Sequence, residues 1–172
     1  MKGSKLMKSK PTNQSSGLPI HASHVMVCVD EIREGVICGR AINAFVSKPI
    51  YFTGLDNLFL QLEFLYDSLQ VPQPPNIRRF ERKSQALGSV TDFPEVTTFW
   101  NPQKTKGCRG KLATVLVRVM YRQNASWQGQ AIWVEGKKQV QCFRSALELL
   151  HLFQNVLSML LEEQTHASRA TS

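Results

Sequence analysis

Apolar residues alternate with other residues along two stretches of the chain, and each stretch leads into apolar residues at helical spacing. Alternation predicts β-strands, whereas spacings of three and four predict an amphipathic helix. The first stretch predicts strands over 24–30, 36–43 and 50–52, then a helix over about 55–69. The second stretch predicts strands over 112–121, 127–134 and 139–143, then a helix to about residue 163.

The two stretches also match each other residue by residue. Three valines of the first have counterparts ninety positions later, with Val25, Val27 and Val29 matching Val115, Val117 and Val119. Residues 39–42 match 129–132 at the same offset, and one residue inserted after the third strand brings the helices into line. We therefore interpret the chain as an α+β protein built by tandem, pseudo-twofold duplication of a βββα unit, with antiparallel sheet or sheets covered by two helices.

The pattern leaves two arrangements of the repeats open. They can join edge to edge into one six-stranded sheet, or pack sheet on sheet around a pseudo-twofold axis. Within the first strand, Met26 and Cys28 lie between the valines, so that both of its faces are apolar. This composition favours a central strand.

Composition divides the chain into five parts. We predict a disordered basic arm (1–23), a first repeat (24–69), a Pro-rich and basic linker (70–111), a second repeat (112–163) and a polar tail (164–172), with the repeats sharing one domain. Thr53-x-x-Asp56 and Ser145-x-x-Glu148 have the spacing of capping boxes, which predicts that they begin the two helices.

The net charge of +8 is unevenly distributed. Residues 1–23 contribute four lysines and no acid, and residues 70–111 contribute eight basic against three acidic side chains. The first repeat, in contrast, has three basic and six acidic residues. A basic protein of this kind can bind nucleic acid, an anionic surface or an acidic protein.

The four cysteines, Cys28, Cys38, Cys108 and Cys142, form no CxxC pair. Three of them lie on predicted strands among apolar residues, which is typical of reduced, buried cysteine and indicates a cytoplasmic protein. A disulfide between Cys28 and Cys38 across a hairpin is the alternative. We expect neither a signal peptide nor a transmembrane helix, because no window approaches 18 apolar residues.

Catalytic and cofactor motifs are missing from the sequence. It contains no metal-binding His or Cys spacing, no phosphate-binding glycine motif and no nucleophile elbow. The acids Asp30, Glu31 and Glu34 could form a magnesium site at a turn, but turns commonly collect acids for solvation. We therefore expect a protein that is not an enzyme and that needs no cofactor or metal.

Basic residues interleaved with aromatic ones give the best indication of function. The predicted binding residues are Arg78, Arg79, Phe80, Arg82, Lys83, Lys104, Lys106, Arg109, Lys111, Arg118 and Arg122. Those in the linker could contact phosphates, and Arg118 and Arg122 could present a sheet-based platform together with Trp127. The acids Asp30, Glu31, Glu34, Asp56, Glu63 and Asp67 could instead engage a protein that has a positive groove.

Two segments carry a resemblance to known proteins: NASWQGQAIWVEGKKQVQCFRSALELL at 124–150 and VMVCVDEIREGVICGRAIN at 25–43. They resemble a family of uncharacterised proteins of gut Firmicutes that is often carried on mobile elements, and the match is most specific over 122–127. The resemblance implies a role in binding the element's DNA or in blocking a host defence such as a CRISPR effector nuclease. The βββα unit is also similar in topology to arm-type DNA-binding domains of integrases.

Together these observations predict a non-enzymatic binding protein of mobile-element origin. We expect it to engage a nucleic-acid-handling complex as an anti-defence, anti-CRISPR-like inhibitor. The alternative is a stand-alone DNA-binding accessory protein that uses its basic linker and sheet face. Both expectations name nucleic acid, or a protein complex that holds it, as the partner.

Overall fold

The computed structural model describes residues 18–72, 93–97, 101–123, 126–135 and 139–170. Within these residues the strands are β1 (His24–Arg33), β2 (Val36–Ile42), β3 (Ile50–Thr53), β4 (Ala113–Tyr121), β5 (Gln128–Trp133) and β6 (Val140–Phe143). Helix α1 (Leu55–Leu69) follows β3, and helix α2 (Ala146–Ala170) follows β6. Short 3₁₀ turns cover Ile20–Ser23 and Pro102–Lys104.

All six strands form one antiparallel sheet in the order β3-β2-β1-β4-β5-β6. The first three strands and the last three therefore meet edge to edge, through the pairing of β1 with β4, in which Val27 lies opposite Val115. The predicted α+β class and the central position of the first strand are confirmed. Of the two open arrangements, the protein has the single six-stranded sheet.

The core lies between the sheet and the two helices. The alternating valines of β1 and β4 are buried on one face of the sheet, together with Ile50, Phe52, Ala131 and Phe143. Leu58, Leu62 and Leu65 of α1 and Leu149 and Phe153 of α2 complete this cluster. We call this side the helix face and the other side, which neither α1 nor α2 covers, the outer face.

Both triplets contain the same cross-strand pair of glycine and phenylalanine. Gly39 lies opposite Phe52, and Gly129 lies opposite Phe143. A Cβ at Gly39 would come within 2.0 Å of the Cys28 carbonyl oxygen, and one at Gly129 within 1.9 Å of the Arg118 oxygen. Phe143 follows Phe52 by 91 positions, whereas Gly129 follows Gly39 by 90. The second triplet therefore has one more residue than the first between its glycine and its phenylalanine, and this residue lies before β6 and not after it.

The helix starts agree with the sequence in one case and differ in the other. Before α2, Ser145 Oγ accepts a hydrogen bond from the Glu148 N–H at 3.1 Å, as predicted. Before α1, the predicted Thr53 cap is wrong, because Thr53 ends β3 and the N-cap is Gly54 at φ 85°. The predicted end of α2 near residue 163 is also too early, since this helix reaches Ala170.

The cysteines of the described chain are free thiols. Cys28 lies opposite Arg40 and Cys38 lies opposite Glu31, so the two cysteines do not face each other across the β1–β2 hairpin. Burial raises the pKa of the Cys28 thiol. The cross-strand disulfide considered as the alternative is therefore not present.

Candidate nucleic-acid interface

A row of apolar side chains crosses the outer face from strand to strand. Met26 lies opposite both Ile42 and Leu116, Leu116 lies opposite Ile132, and Ile132 lies opposite Val140. The three inner members, Met26, Leu116 and Ile132, are half-buried, and Val140 is 53% exposed. This face therefore offers a partner apolar surface that the helices leave uncovered.

The next row on the outer face is polar and centres on Arg118. Arg118 lies opposite His24 on β1 and Gln130 on β5. Its Nε is buried and has no hydrogen-bond partner among the described residues. Burial, and then the charges of Arg118 and His21, lower the pKa of His24. Near neutral pH the imidazole of His24 is thus uncharged, and the guanidinium supplies the positive charge of this row.

A second source of positive charge is residues 101–112, which we call the basic segment because it contains four basic and no acidic residues. It lies against the outer face, where Arg40 Nη2 donates to the Arg109 carbonyl oxygen at 2.9 Å. The Gly110 N–H donates to Thr114 Oγ1 at 3.0 Å, which fixes the end of the segment beside β4. Cys28 is fully buried on this face.

Three of the four cations of the basic segment point into solvent. Lys106, Arg109 and Lys111 are exposed, as the sequence prediction requires of phosphate-binding residues. Lys104 instead donates from Nζ to the carbonyl oxygens of Val46 at 2.6 Å and Ser47 at 3.3 Å. Lys104 therefore anchors the segment to the connection between β2 and β3, whereas the other three cations remain exposed to solvent.

Arg122, predicted to share the sheet platform with Arg118, lies inside the protein. Its side chain is 5% exposed and forms ion pairs with Glu63 at 2.6 Å and Asp67 at 2.7 Å. Burial opposes its charge, but hydrogen bonds and charges from Asp67 and Glu63 outweigh that effect and raise its pKa. The Trp127 ring nitrogen also donates to Glu63, at 2.6 Å. Arg122 and Trp127 therefore attach α1 to the second half of the sheet and do not form a platform.

A β-bulge near the end of β4 explains why Arg118 and Arg122 point to opposite faces of the sheet. The register with β5 shifts between Val119 and Tyr121, which adds one residue to β4. One added residue reverses the face to which every later side chain points. Arg118, before the bulge, lies on the outer face, and Arg122, after it, turns to the helix face.

The remaining predicted site residues, Arg78, Arg79, Phe80, Arg82 and Lys83, lie outside the described residues. Sequence reasoning, in turn, missed Arg40, which holds the basic segment to the sheet and also lies 3.7 Å from Asp30. Its signal was present in the alternation of β2. Cys38, Arg40 and Ile42 occupy one face of that strand, which is the face of Met26 across the ladder.

Acidic groups near this surface are already engaged in hydrogen bonds. Asp30 Oδ1 accepts from the Lys111 N–H at 3.2 Å, and Glu135 Oε2 accepts from the Thr114 N–H at 2.8 Å. Six further acids lie on the helices, three in α1, which has no basic residue, and three in α2, which has one arginine, whereas Glu31 and Glu34 lie in the β1–β2 hairpin. Positive charge is thus concentrated on the outer side, and negative charge on the helices.

A groove of about 620 Å³ opens where β1, β2 and β3 meet the start of α1. Its polar side chains bond mainly to the protein itself: Arg33 pairs with Glu31, and Asn57 and Gln61 bond to the main chain of β3. In the part of the chain that the structure describes, no group of three or more His, Cys, Asp or Glu could hold a metal ion.

Comparison with known proteins gives no match to a family model, a curated protein or a solved structure. Among the described residues, no helix has both the length and the apolar character needed to cross a membrane.

Proposed function

We propose that this chain is a binding protein that holds nucleic acid against the outer face of its sheet. The observation that carries the proposal is the position of Arg118, whose Nε has no hydrogen-bond partner among the described residues, on the same face as the basic segment. Lys106, Arg109 and Lys111 extend this positive surface into solvent. The acidic helices lie on the opposite side, so a polyanion is attracted to one face only.

Each group on this surface has a definite role in the proposal. The guanidinium of Arg118 donates to a phosphate, because a charged planar donor suits phosphate oxygens. The three exposed cations of the basic segment contact neighbouring phosphates and add affinity without reading sequence. Arg40 acts through the segment, which it holds in place by its hydrogen bond to Arg109.

The apolar row supports a second candidate, a complex of protein with nucleic acid as the partner. Met26, Leu116, Ile132 and Val140 cannot bind phosphate, but a partly exposed apolar surface suits a protein. Together with the sequence resemblance to mobile-element proteins, this row supports an anti-defence inhibitor that grips a nucleic-acid-bound effector in the cytoplasm. In this second proposal the cations contact the effector's nucleic acid and the row contacts its protein.

We also infer that the chain arose by duplication of a βββα unit. Three features recur at equivalent places in both triplets: the Gly–Phe cross-strand pair, a β-bulge in the first strand after Val29 or Val119, and a helix side chain that accepts a hydrogen bond from a backbone N–H at the end of the third strand or just after it. The third feature joins Asn57 to the Thr53 N–H and Glu148 to the Arg144 N–H. A recurring bulge is informative because bulges are specific features of a fold.

The binding test compares two arginines that carry the same charge. Fluorescence anisotropy with labelled single-stranded and duplex oligonucleotides should show that Arg118→Gln weakens binding by about tenfold, as expected for one lost charged hydrogen bond. Arg33→Gln should have little effect, because Arg33 pairs with Glu31 at the other end of β1. Equal affinities of Arg118→Gln and the unchanged protein would reject the outer face as the binding surface.

A second experiment distinguishes the two candidate partners. Tagged protein is recovered from host lysate with and without nuclease treatment, and the bound material is identified. A protein partner that survives nuclease and is lost with Leu116→Asp supports the inhibitor. Recovery that disappears with nuclease and with Arg118→Gln supports direct binding to nucleic acid.

A further inference from the structure

The two edges of the sheet end differently, although β3 and β6 hold equivalent positions. At the β3 edge, Gly54 N–H donates to the Ile37 oxygen, so Tyr51 and Thr53 direct their main-chain groups away from β2. Gln61 Nε2 donates to the Tyr51 carbonyl oxygen at 2.8 Å, and Asn57 Oδ1 accepts from the Thr53 N–H at 3.4 Å. Side chains of α1 thereby cover part of this edge, because they bond one of its outward C=O groups and one of its outward N–H groups.

At the β6 edge the corresponding cover is less extensive. The Trp133 N–H donates to the Gln139 oxygen at 3.0 Å. Because hydrogen-bonded pairs alternate along an antiparallel ladder, residues 139, 141 and 143 direct their main-chain groups to β5, and Val140 and Cys142 direct theirs outward. Glu148 accepts from the Arg144 N–H at 2.7 Å, as Asn57 does for Thr53. The place of Gln61, however, is taken by Leu152, which cannot form a hydrogen bond.

Two N–H and two C=O groups of β6 are therefore left without a bond to any described residue. Residues 139–142 are all exposed, and none of the residues 139–143 is charged. Gln141 occupies the place that Ile50 fills in β3, where the side chain is 1% exposed. Sheet edges are normally protected by charge, proline or a covering element, and β6 has no such protection among these residues.

We propose that β6 is a self-association edge, at which it pairs antiparallel with β6 of a second copy of this chain. With Gln141 on the twofold axis, Val140 of each copy exchanges both hydrogen bonds with Cys142 of the other. All four free groups of each copy are then used. None of the paired residues is charged, so no like charges lie opposite each other within the pairing itself, which ends before Arg144, whose N–H is already bound.

Self-association would also bury apolar surface and extend the sheet to twelve strands. Val140, which is 53% exposed in one copy, comes next to Cys142 of the second copy on the outer face. The two outer faces become continuous, and the two helix layers remain together on the other side. The pairing itself requires only main-chain groups of β6, so its test does not depend on whether the protein binds nucleic acid.

The first test measures the mass of the full chain by sedimentation across a range of micromolar concentrations without nucleic acid. The unchanged protein should form dimers, and Cys142→Pro should shift it to monomer, because proline removes an outward N–H that the protein's own ladder does not use. Tyr51→Pro is the matched control at the β3 edge, where α1 side chains bond the Tyr51 carbonyl and the Thr53 N–H, and it should leave the dimer intact. Circular dichroism checks that each variant is folded.

The second test locates the contact by cross-linking. In a Cys142→Ser background, Gln141→Cys places two thiols across the twofold axis in a non-hydrogen-bonded pair, with Cα atoms about 4.5 Å apart, which suits a disulfide. Oxidation should give a covalent dimer, whereas Gln139→Cys in the same background, whose opposite residue would be Phe143, should give none. A monomer at every concentration overturns the proposal, and so does a dimer that neither Cys142→Pro nor Gln141→Cys affects.

Discussion

Arg118 and Arg122 show how far the surroundings of one residue type can differ within four positions of the same sequence. Alternation along β4 assigns both side chains to one face, and the sequence gives no sign of the bulge that separates them. Arg118 lies on the outer face beside His24, while Arg122 pairs with Glu63 and Asp67 on α1. The charge of a side chain can be read from the sequence, but its availability depends on pairings between residues more than fifty positions apart.

The ion pairs of Arg122 lead to a prediction about stability. Arg122→Met should lower the free energy of unfolding by roughly 2 kcal/mol, less than the 3–5 kcal/mol typical of a fully buried pair, because its partners are partly solvated. Asp67→Asn should cost under about 1 kcal/mol, since Arg122 retains Glu63 and the Asp67 side chain is 48% exposed. Urea denaturation measures the free energy of unfolding of both variants. Equal losses for Arg122→Met and Asp67→Asn would contradict the difference in burial between these two side chains.

His24 leads to a prediction about pH. Because its pKa is lowered in the folded protein, the unfolded chain takes up a proton more readily as the pH falls below about 6.5. The stability that neutral His24 supports is therefore present above that pH and is lost as the pH falls through the lowered pKa. His24→Gln should lose less stability than the unchanged protein between neutral pH and pH of about 5.

The control for this measurement is His151→Gln, because His151 is exposed on α2. Its denaturation midpoint should follow that of the unchanged protein across the same pH range. If His24→Gln and the unchanged protein show parallel pH dependence, the environment assigned to His24 is wrong.

At the scale of elements, the sequence predicts existence and order better than boundaries. All six strands and both helices were predictable, because alternation and helical spacing are properties of the local sequence. The cap at Gly54 was not predictable from the Thr53-x-x-Asp56 spacing, because Thr53 is required by its pairing with Cys38 at the end of β3. The place of the extra residue before β6 likewise depends on the β5–β6 register.

The Gly–Phe pairs lead to a prediction about strand packing. Gly129→Ala should destabilise the protein by roughly 1–3 kcal/mol, because its Cβ meets the Arg118 carbonyl oxygen and the backbone must move. Gly39→Ala should cost a similar amount, since the contact with the Cys28 oxygen is equally close. Thermal denaturation provides the comparison.

The matched control is Gly35→Asn in the β1–β2 turn. Gly35 has φ 77° and open space around its Cα, and asparagine tolerates this left-handed conformation better than other residues. Its cost should stay under about 1 kcal/mol. Similar losses at Gly35 and Gly129 would show that the close contact in the sheet does not matter.

At the scale of the whole molecule, the decisive property is which side of the sheet carries which charge. The sequence shows that the region before the second repeat is basic, but it does not show that residues 101–112 lie on the face opposite the helices. That placement depends on the bonds of Arg40 to Arg109 and of Thr114 to Gly110. The same long-range contacts engage Lys104 in structure and leave Lys106, Arg109 and Lys111 exposed.

This arrangement predicts how binding responds to salt. Four cations are available to contact phosphates: Arg118, Lys106, Arg109 and Lys111. With a slope near 0.9 per phosphate, the affinity for duplex DNA should fall by about 10²-fold as the salt concentration rises from about 50 to 200 mM. The triple variant Lys106→Gln, Arg109→Gln and Lys111→Gln retains only Arg118 of the four, so its affinity should fall by only about fourfold over that range. Anisotropy titrations at several salt concentrations give both slopes. If the slopes are equal, the basic segment does not contact phosphate, and the phosphate contacts must be assigned to other parts of the chain.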